Sequence, residues 1–251
     1  MPRKGDSRPV GEARARLRAL GLDEPAVEVL LDHFSDAEQR GKLGHGFSRI
    51  PWLETQPIDV GARPVKISGA DGVDRWDGSG ALGYLTLSAI CDDVIAHGVE
   101  GARLVVASRC FPTGSLGYWV RRLASAGYVA LLTATSPRRL PAPTGGVPLT
   151  GTNPLAIAIP AGEGEPLVAD VSMGAVTHGD VIAGHARPEE LVPFGGPLAH
   201  KAFALAVGLE LFVSALAGPE HAAVLLVARP EHDVVPAFRT LAAGIRLPGD
   251  A

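Results

Sequence analysis

The sequence has few cysteines, few aromatic residues and no excess of positive charge. Its 251 residues include 2 cysteines, 5% aromatic residues and a formal net charge of −4. Cys91 and Cys110 supply neither a disulfide framework nor the ligand spacing of a zinc site. A basic field of the kind that attracts nucleic acid or an anionic membrane surface is also missing. We therefore expect no metal, no nucleic-acid partner and no membrane partner.

Long apolar runs are scarce as well. The first residues, MPRKGDSRPVGEARARLRALG, contain no apolar core of the kind that a secretory signal has. We also expect no segment that spans a bilayer, which takes roughly 18–20 predominantly apolar residues. With 46% hydrophobic and 20% charged residues, the composition is that of a globular chain with a sizeable core. These features predict a cytoplasmic protein.

Familiar nucleotide and hydrolase motifs are the third absence. We find no Walker A loop, no G-x-S-x-G nucleophile elbow and no H-E-x-x-H pair. Residues 77–80 (DGSG) are interpreted as a turn, and we expect no G-x-G-x-x-G fingerprint after a strand. Any nucleotide must therefore be bound without the usual glycine-rich loops.

One stretch, residues 149–181, carries the densest set of polar residues at turns and strand ends. Gly151-Thr152-Asn153-Pro154 has the residues of a tight turn, and the apolar run 155–159 is typical of a buried strand. A second strand-like run ends at Asp170. This carboxylate is either a solvated strand terminus or a group at the mouth of a site.

Two further segments contain candidate residues. His45 lies between two glycines, which we interpret as backbone able to come close to a ligand, and Arg49 follows four residues later. The bland alternative is a loop histidine beside a surface arginine. His200 and Lys201 precede a long apolar helix predicted over 202–216, which we expect to be buried nearly all round. A helix N-terminus favours anions, so a phosphate or carboxylate site is plausible there.

Alternating strands and helices predict an α/β fold. A strand over 103–108, a helix over 114–126 and a strand over 128–133 imply a right-handed crossover and a partly parallel sheet. Residues 136–148 are interpreted as a surface loop, whose Arg138 and Arg139 either meet a phosphate or only solvate the loop.

Four motifs in order resemble the malate/L-lactate dehydrogenase type 2 family: GHGFSRIP (44–51), GTNPLAIA (151–158), DVSM (170–173) and PFGGPLAHK (193–201). The resemblance implies an α/β mixed sheet with packed helices, a non-Rossmann site for NADPH or NADH, and a homodimer. It also implies a division into an NAD(P)-binding region, 63–184, and a helical, substrate-side and dimerisation region, 1–62 with 185–251.

Site residues follow from the resemblance. It implies catalytic roles for His45, Arg49 and Asp170, with His45 as a proton donor near the substrate. The cofactor contacts that it implies are Ser136, Thr152, Asn153, Asp170, Val171, Ser172, His200 and Lys201.

Departures from the family pattern shape the predicted reaction. Gly44 replaces a serine, and Pro112 falls where many members have a second catalytic histidine. The segment before Pro193 is shortened. Because losing a positioned acid typically lowers the rate 10²–10⁴-fold, we expect His45 to be the one remaining side-chain donor. A cyclic imine can arrive already protonated, so its reduction needs less help than that of a ketone.

The sequence therefore predicts an NAD(P)H-dependent oxidoreductase that reduces a small carboxylated imine or 2-oxo acid. A specialised biosynthetic pathway is the setting that we consider for this reaction. One alternative is a repurposed family member that catalyses a non-redox step, such as cyclisation or elimination. A non-catalytic binding subunit is a third reading, which the retained polar residues disfavour.

Overall fold

A computed structural model describes residues 8–70 and 72–250, and its elements alternate between helix and strand. The helices are α1 (Arg8–Ala19), α2 (Glu24–Gln39), α3 (Ile50–Leu53), α4 (Gly83–His97), α5 (Leu116–Ser125), α6 (His178–Ile182), α7 (Ala199–Ala217) and α8 (Val235–Leu241). The strands are β1 (Val65–Ala70), β2 (Val73–Asp77), β3 (Ala102–Ser108), β4 (Val129–Ala134), β5 (Leu140–Ala142), β6 (Gly145–Thr150), β7 (Leu155–Ile159), β8 (Leu167–Val171) and β9 (Ala223–Ala228).

Seven strands form one mixed sheet in the order β1-β2-β3-β9-β4-β7-β8. β2 and β3 pair in parallel across helix α4, and the other neighbours are antiparallel. β3 and β4 run in the same direction, as predicted, but β9 lies between them because both pair with it. The predicted α/β mixed sheet with packed helices is confirmed. β9 comes from the region predicted to be separate from the cofactor-binding part, so both predicted regions contribute to one sheet.

The main core lies where α2, α4 and α5 pack together and α5 packs on the sheet. α5 turns Leu116, Trp119, Val120 and Leu123 inward, and all four are fully buried. Burial of side chains this size contributes about 1.5–3 kcal/mol each. This packing fixes the segment before α5, which forms part of the site described below.

Two local expectations were wrong. Residues 136–148 are not only a loop, since β5 and β6 pair there as an antiparallel hairpin. Residues 78–83 (GSGALG) do have the G-x-G-x-x-G spacing, and they connect β2 to α4. However, a Cβ at Gly83 would lie 2.7 Å from the carbonyl oxygen of Pro112, and one at Gly78 would lie 3.3 Å from Oγ1 of Thr86. The glycines therefore allow close packing of protein on protein, so the spacing does not make a phosphate loop here.

Helix α7 also differs from expectation. It fully buries only Ala199, Ala202, Ala206 and Val213. Leu209 and Leu216 are partly buried against two small core clusters, whereas several other apolar side chains are exposed. Leu205 and Leu211 are 52% and 64% exposed. By length and composition alone, residues 196–217 would be long and apolar enough to cross a membrane, so long apolar runs are less scarce than the sequence analysis expected. Within this single chain, α7 presents a broad unpartnered apolar face.

Candidate active site

The ends of several elements enclose one cavity of about 380 Å³. Its wall is built from the turn after α2, the segment before α5, the segment between β4 and β5, the turn before β7, the end of β8 and the start of α6. The predicted residues in this wall are His45, Arg49, Ser136, Thr152, Asp170 and Ser172. Residues far apart in the sequence are thus brought to one site.

The two glycines beside His45 serve packing, which corrects their interpretation as an approach for a ligand. A Cβ at Gly44 would lie 2.7 Å from the backbone nitrogen of Asp180, at the start of α6. A Cβ at Gly46 would lie 2.6 Å from Cδ of Glu38. The space of the family's serine at position 44 is therefore filled by α6, which belongs to the shortened segment before Pro193.

Arg49 is a buried cation without an anionic partner among residues 8–70 and 72–250. Arg49 is 7% exposed, and the central carbon of its guanidinium lies 4.1 Å from the ring centroid of Trp52. Its Nε has no hydrogen-bond partner in the described part of the chain. A guanidinium presents a planar fork of donors that matches a carboxylate. The geometry is therefore that of a site for an anionic group.

Asp170 is in the opposite situation, because its carboxylate has a cationic partner and a hydrogen-bond donor on the same oxygen. Lys42 forms an ion pair with Oδ2 of Asp170, and the hydroxyl of Ser115 donates to the same oxygen at 2.8 Å. Burial raises the pKa of Asp170, but Lys42 and Ser115 outweigh it, so the pKa lies below its ordinary value. The carboxylate therefore stays ionised at neutral pH.

His45 is uncharged at neutral pH. Burial lowers its pKa to about 4, and the nearby charge of Arg49 acts in the same direction. Asp170 and Asp180 oppose the shift without cancelling it. An imidazole in this state can hydrogen-bond to a substrate but holds no extra proton to give away.

Arg139, which the sequence left undecided, lies in the same wall. Its side chain has no hydrogen bond or ion pair with the described part of the chain, while its backbone nitrogen donates to the carbonyl of Thr150 at 2.9 Å. Burial and the charge of Arg49 lower its pKa. Burial, followed by Arg139 and Arg49, lowers the pKa of His178 to about 4. These three side chains thus lie in one positive field.

The predicted cofactor contacts fall into two groups. Ser136, Thr152 and Ser172 line the cavity, and the hydroxyls of Ser136 and Thr152 make no hydrogen bond with a described residue. Asn153 is fully buried and lies outside the lining. Its amide nitrogen donates to Glu210 at 2.7 Å and to the carbonyl of Ala206 at 3.1 Å. Asn153 thus connects the turn to α7.

Three other predicted residues are not in the cavity wall. Val171 ends β8 and is 45% exposed. His200 and Lys201 are exposed in the first turn of α7. Their predicted contact with a cofactor phosphate stays a prediction.

Lys42 is a site residue that sequence reasoning missed. It lines the cavity together with Pro112, Thr113 and Ser115. Its carbonyl accepts a hydrogen bond from the backbone nitrogen of His45 at 2.8 Å, so one tight turn connects the two residues. The partner of Lys42, Asp170, is 128 positions away. No local sequence pattern links residues so distant, although the turn spacing to His45 was visible.

Together, the fold and the cavity define an α/β protein whose polar site contains two cations, Arg49 and Arg139, without an anionic partner among the described residues. A family model described as malate/L-lactate dehydrogenase matches residues 11–191. The chain belongs to this family. The predicted family is therefore confirmed, and with it the predicted class of enzyme, an NAD(P)-dependent oxidoreductase.

Similar proteins of known name agree with this assignment, and a solved structure shares the fold. A Δ1-pyrroline-2-carboxylate/Δ1-piperideine-2-carboxylate reductase of Pseudomonas putida is 30% identical over 244 residues, covering 84% of this chain and 71% of the relative. A (2R)-3-sulfolactate dehydrogenase (NADP(+)) of Chromohalobacter salexigens is 33% identical over 70% of this chain and 56% of its own length. The structure of a Δ1-piperideine-2-carboxylate reductase from Pseudomonas syringae pvar. tomato superposes with a TM-score of 0.79 at 24% identity, covering 96% of this chain and 89% of that one.

Proposed function

We propose that this protein reduces the C=N or C=O group of a small carboxylated substrate with NAD(P)H. The observation that carries the proposal is the buried guanidinium of Arg49, which has no anionic partner among the described residues and faces a cavity shared with His45 and Asp170. Burying a cation without a counter-ion is unfavourable, and a substrate carboxylate relieves that imbalance. The names of the relatives, an imino-acid reductase and a sulfolactate dehydrogenase, support a substrate of this class.

Each polar residue then has a role. Arg49 holds the substrate carboxylate through paired, charge-assisted hydrogen bonds. His45, neutral in this site, hydrogen-bonds the reacting oxygen or nitrogen and orients it. Asp170 stays ionised and fixes the donors around it. The wall therefore binds and orients the substrate before any bond changes.

The cofactor has residues that fit it. Reduced NAD(P)H supplies hydride to the reacting carbon when it is bound. The hydroxyls of Ser136 and Thr152 line the cavity without partners in the described chain. They are therefore free to hydrogen-bond to the carboxamide of a nicotinamide, and Ser172 lines the same cavity. Lys201, with His200, remains the proposed phosphate contact. Lys201→Ala should weaken cofactor binding by about 1.5–3 kcal/mol, as for a hydrogen bond to a charged group.

Turnover assays test the proposal. Purified protein is mixed with NADPH or NADH and with a panel of cyclic imino acids and 2-oxo acids, and oxidation of the cofactor is followed by absorbance. We expect turnover with at least one carboxylated compound and none with the matching carboxamide, because the amide offers Arg49 no negative charge. Equal rates with acid and amide would contradict the role of Arg49.

A non-redox reaction on the same fold is the second candidate. The observation that favours it is Pro112, which lines the cavity but brings no proton donor to the position that the resemblance gives to a histidine. If this candidate is right, nicotinamide fluorescence will report cofactor binding, but no panel compound will oxidise the cofactor. Failure of both NADPH and NADH to bind would exclude the redox proposal.

We also propose that a second copy of the chain covers the apolar face of α7, as the resemblance to homodimeric enzymes implies. Leu198, Leu205 and Phe212 are each about half exposed on this segment, and exposed patches of this kind mark interaction surfaces. Light scattering should give a dimer or a multiple of it, and Leu205→Glu should shift it towards monomer. A stable wild-type monomer at micromolar concentration would remove the proposal. The cytoplasmic location, a biosynthetic role and the division at residues 63 and 184 stay predictions.

A further inference from the structure

The segment before α5 lacks the imidazole that the family resemblance places there, yet the cavity wall beside it is not without a proton donor. Pro112 occupies that position and lines the cavity. Three residues later, the hydroxyl of Ser115 lies 3.5 Å from Nζ of Lys42. The ammonium group of Lys42 thus faces the segment in which the imidazole is missing.

The position of Lys42 is fixed from both of its ends. Its backbone begins the tight turn that places His45, through the hydrogen bond from the His45 nitrogen. Its ammonium is ion-paired with Oδ2 of Asp170, which also accepts from Ser115 at 2.8 Å. A Cβ at residue 117 would lie 2.8 Å from the same oxygen, so Gly117 lets the carboxylate approach the start of α5. The charge of the ammonium is therefore held in place rather than free in solvent.

The two histidines in the wall are neutral at neutral pH in the ligand-free site. His45 has lost its extra proton, because burial and Arg49 lower its pKa to about 4. His178 is in the same state. Arg49 and Arg139 do not release protons in this range. A lysine ammonium carries three transferable hydrogens, and the side chain of Lys42 remains 35% exposed, so water can return a proton to it.

We propose that Lys42, held by Asp170, is the proton donor for reduction of the C=O group of a 2-oxo acid. This inference rests on the proposed function and deepens it. The carbonyl carbon receives hydride from NAD(P)H, the π electrons of C=O move to oxygen, and that oxygen takes a proton from Nζ of Lys42. The products are a 2-hydroxy acid, oxidised cofactor and a neutral amine that is reprotonated from water. Lys42 thereby replaces the proton donor that is missing at Pro112, so the site can reduce 2-oxo acids as well as imines.

Two substitutions at Lys42 separate proton transfer from charge. Lys42→Met removes the donor, so turnover of a 2-oxo acid should fall about 10²–10⁴-fold, while cofactor affinity measured by nicotinamide fluorescence stays unchanged. Lys42→Arg keeps the positive charge beside Asp170 but does not give up a proton, so its turnover should also stay low. Reduction of a cyclic imine, which can arrive protonated, should fall much less in both variants. Lys66→Met is the matched control. The side chain of Lys66 is 33% exposed, and its Nζ lies 2.7 Å from Oδ2 of Asp93 in an ion pair outside the cavity wall.

The possible results are distinct. Wild-type protein that reduces imines but no 2-oxo acid overturns this inference and leaves the proposed function standing. Wild-type protein that reduces nothing removes the proposed function and this inference with it. Retention of 2-oxo acid turnover within a few-fold in Lys42→Met, or recovery in Lys42→Arg, means that Lys42 contributes no proton.

Discussion

Two sets of charged residues in the cavity wall balance buried charge in opposite ways: the paired side, Lys42 with Asp170, and the unpaired side, Arg49 with Arg139. On one side, Lys42 and Asp170 neutralise each other, and Ser115 completes the set. On the other side, Arg49 and Arg139 have no carboxylate partner among the described residues, and each adds to the positive field that lowers the pKa of His178. The first side is complete without a ligand, whereas the second becomes balanced only when an anion binds. Under the proposed function, catalytic positioning is thus assigned to the paired residues and substrate capture to the unpaired ones.

Removing the cation on the unpaired side should have the largest effect. Arg49→Met should weaken binding of a carboxylated substrate by about 3–4 kcal/mol, because a buried charge-assisted pair is lost. The melting temperature should not fall, since an uncompensated buried cation is removed. Substrate affinity, measured by KM and by calorimetry, and thermal unfolding check both parts. Arg122→Met, outside the cavity, is the control, and a loss of stability in Arg49→Met as large as the loss of affinity would contradict the comparison.

Removing the anion on the paired side should act in the opposite sense. Asp170→Asn leaves the ammonium of Lys42 without its counter-ion, so we expect the free energy of unfolding to fall by about 2–3 kcal/mol. Adding Lys42→Met to this variant should recover part of the loss, because the unpaired charge is then gone. Chemical denaturation of both variants measures these changes. No recovery in the double variant would mean that the loss does not come from the unpaired charge of Lys42.

Acid should destabilise the paired side through His33, which contacts Ser115. Nε2 of His33 accepts a hydrogen bond from the backbone nitrogen of Ser115 at 3.0 Å, and burial lowers the pKa of His33 to about 3. Because the folded value lies below the unfolded value of 6.5, the stabilisation is complete above pH 6.5 and is lost as the pH falls towards 3. At pH 5 this histidine alone should lower the free energy of unfolding by about 2 kcal/mol. His33→Gln should flatten the pH dependence of unfolding, and an unchanged slope would argue against a neutral buried His33.

The comparison also shows how far the sequence could go. The α/β class and the bounds of most strands followed from apolar periodicity, and His45, Arg49 and Asp170 do line one cavity. The partnership of Lys42 with Asp170 could not be predicted, since it depends on a chain path that no local spacing encodes. The place of β9 within the sheet escaped for the same reason.

Two errors came from interpreting a local pattern without its neighbours. The glycines around His45 resembled a ligand approach, but Glu38 and Asp180 occupy the space. The charge-poor run of α7 resembled a core helix, but only a narrow face of it meets the rest of the chain. In both cases the residue type was informative, but the local pattern did not reveal which residues pack against it.

The smallest expected effect concerns Arg139 and sharpens the comparison within the unpaired side. Arg139→Gln removes one of the two cations that lower the pKa of His178, so this pKa should rise above about 4, while burial, the largest cause, still holds it below 6.5. A bound carboxylate should raise it in wild-type protein for the same electrostatic reason, and by less in the variant. Titration of the histidine resonances by NMR, with and without a small 2-oxo acid, measures both shifts. Arg138→Gln is the control, because Arg138 is exposed and lies outside the cavity wall. If His178 has the same pKa in Arg139→Gln as in Arg138→Gln, the charge of Arg139 does not act on His178. Arg49 would then be the sole anion-binding group among the described residues of the unpaired side.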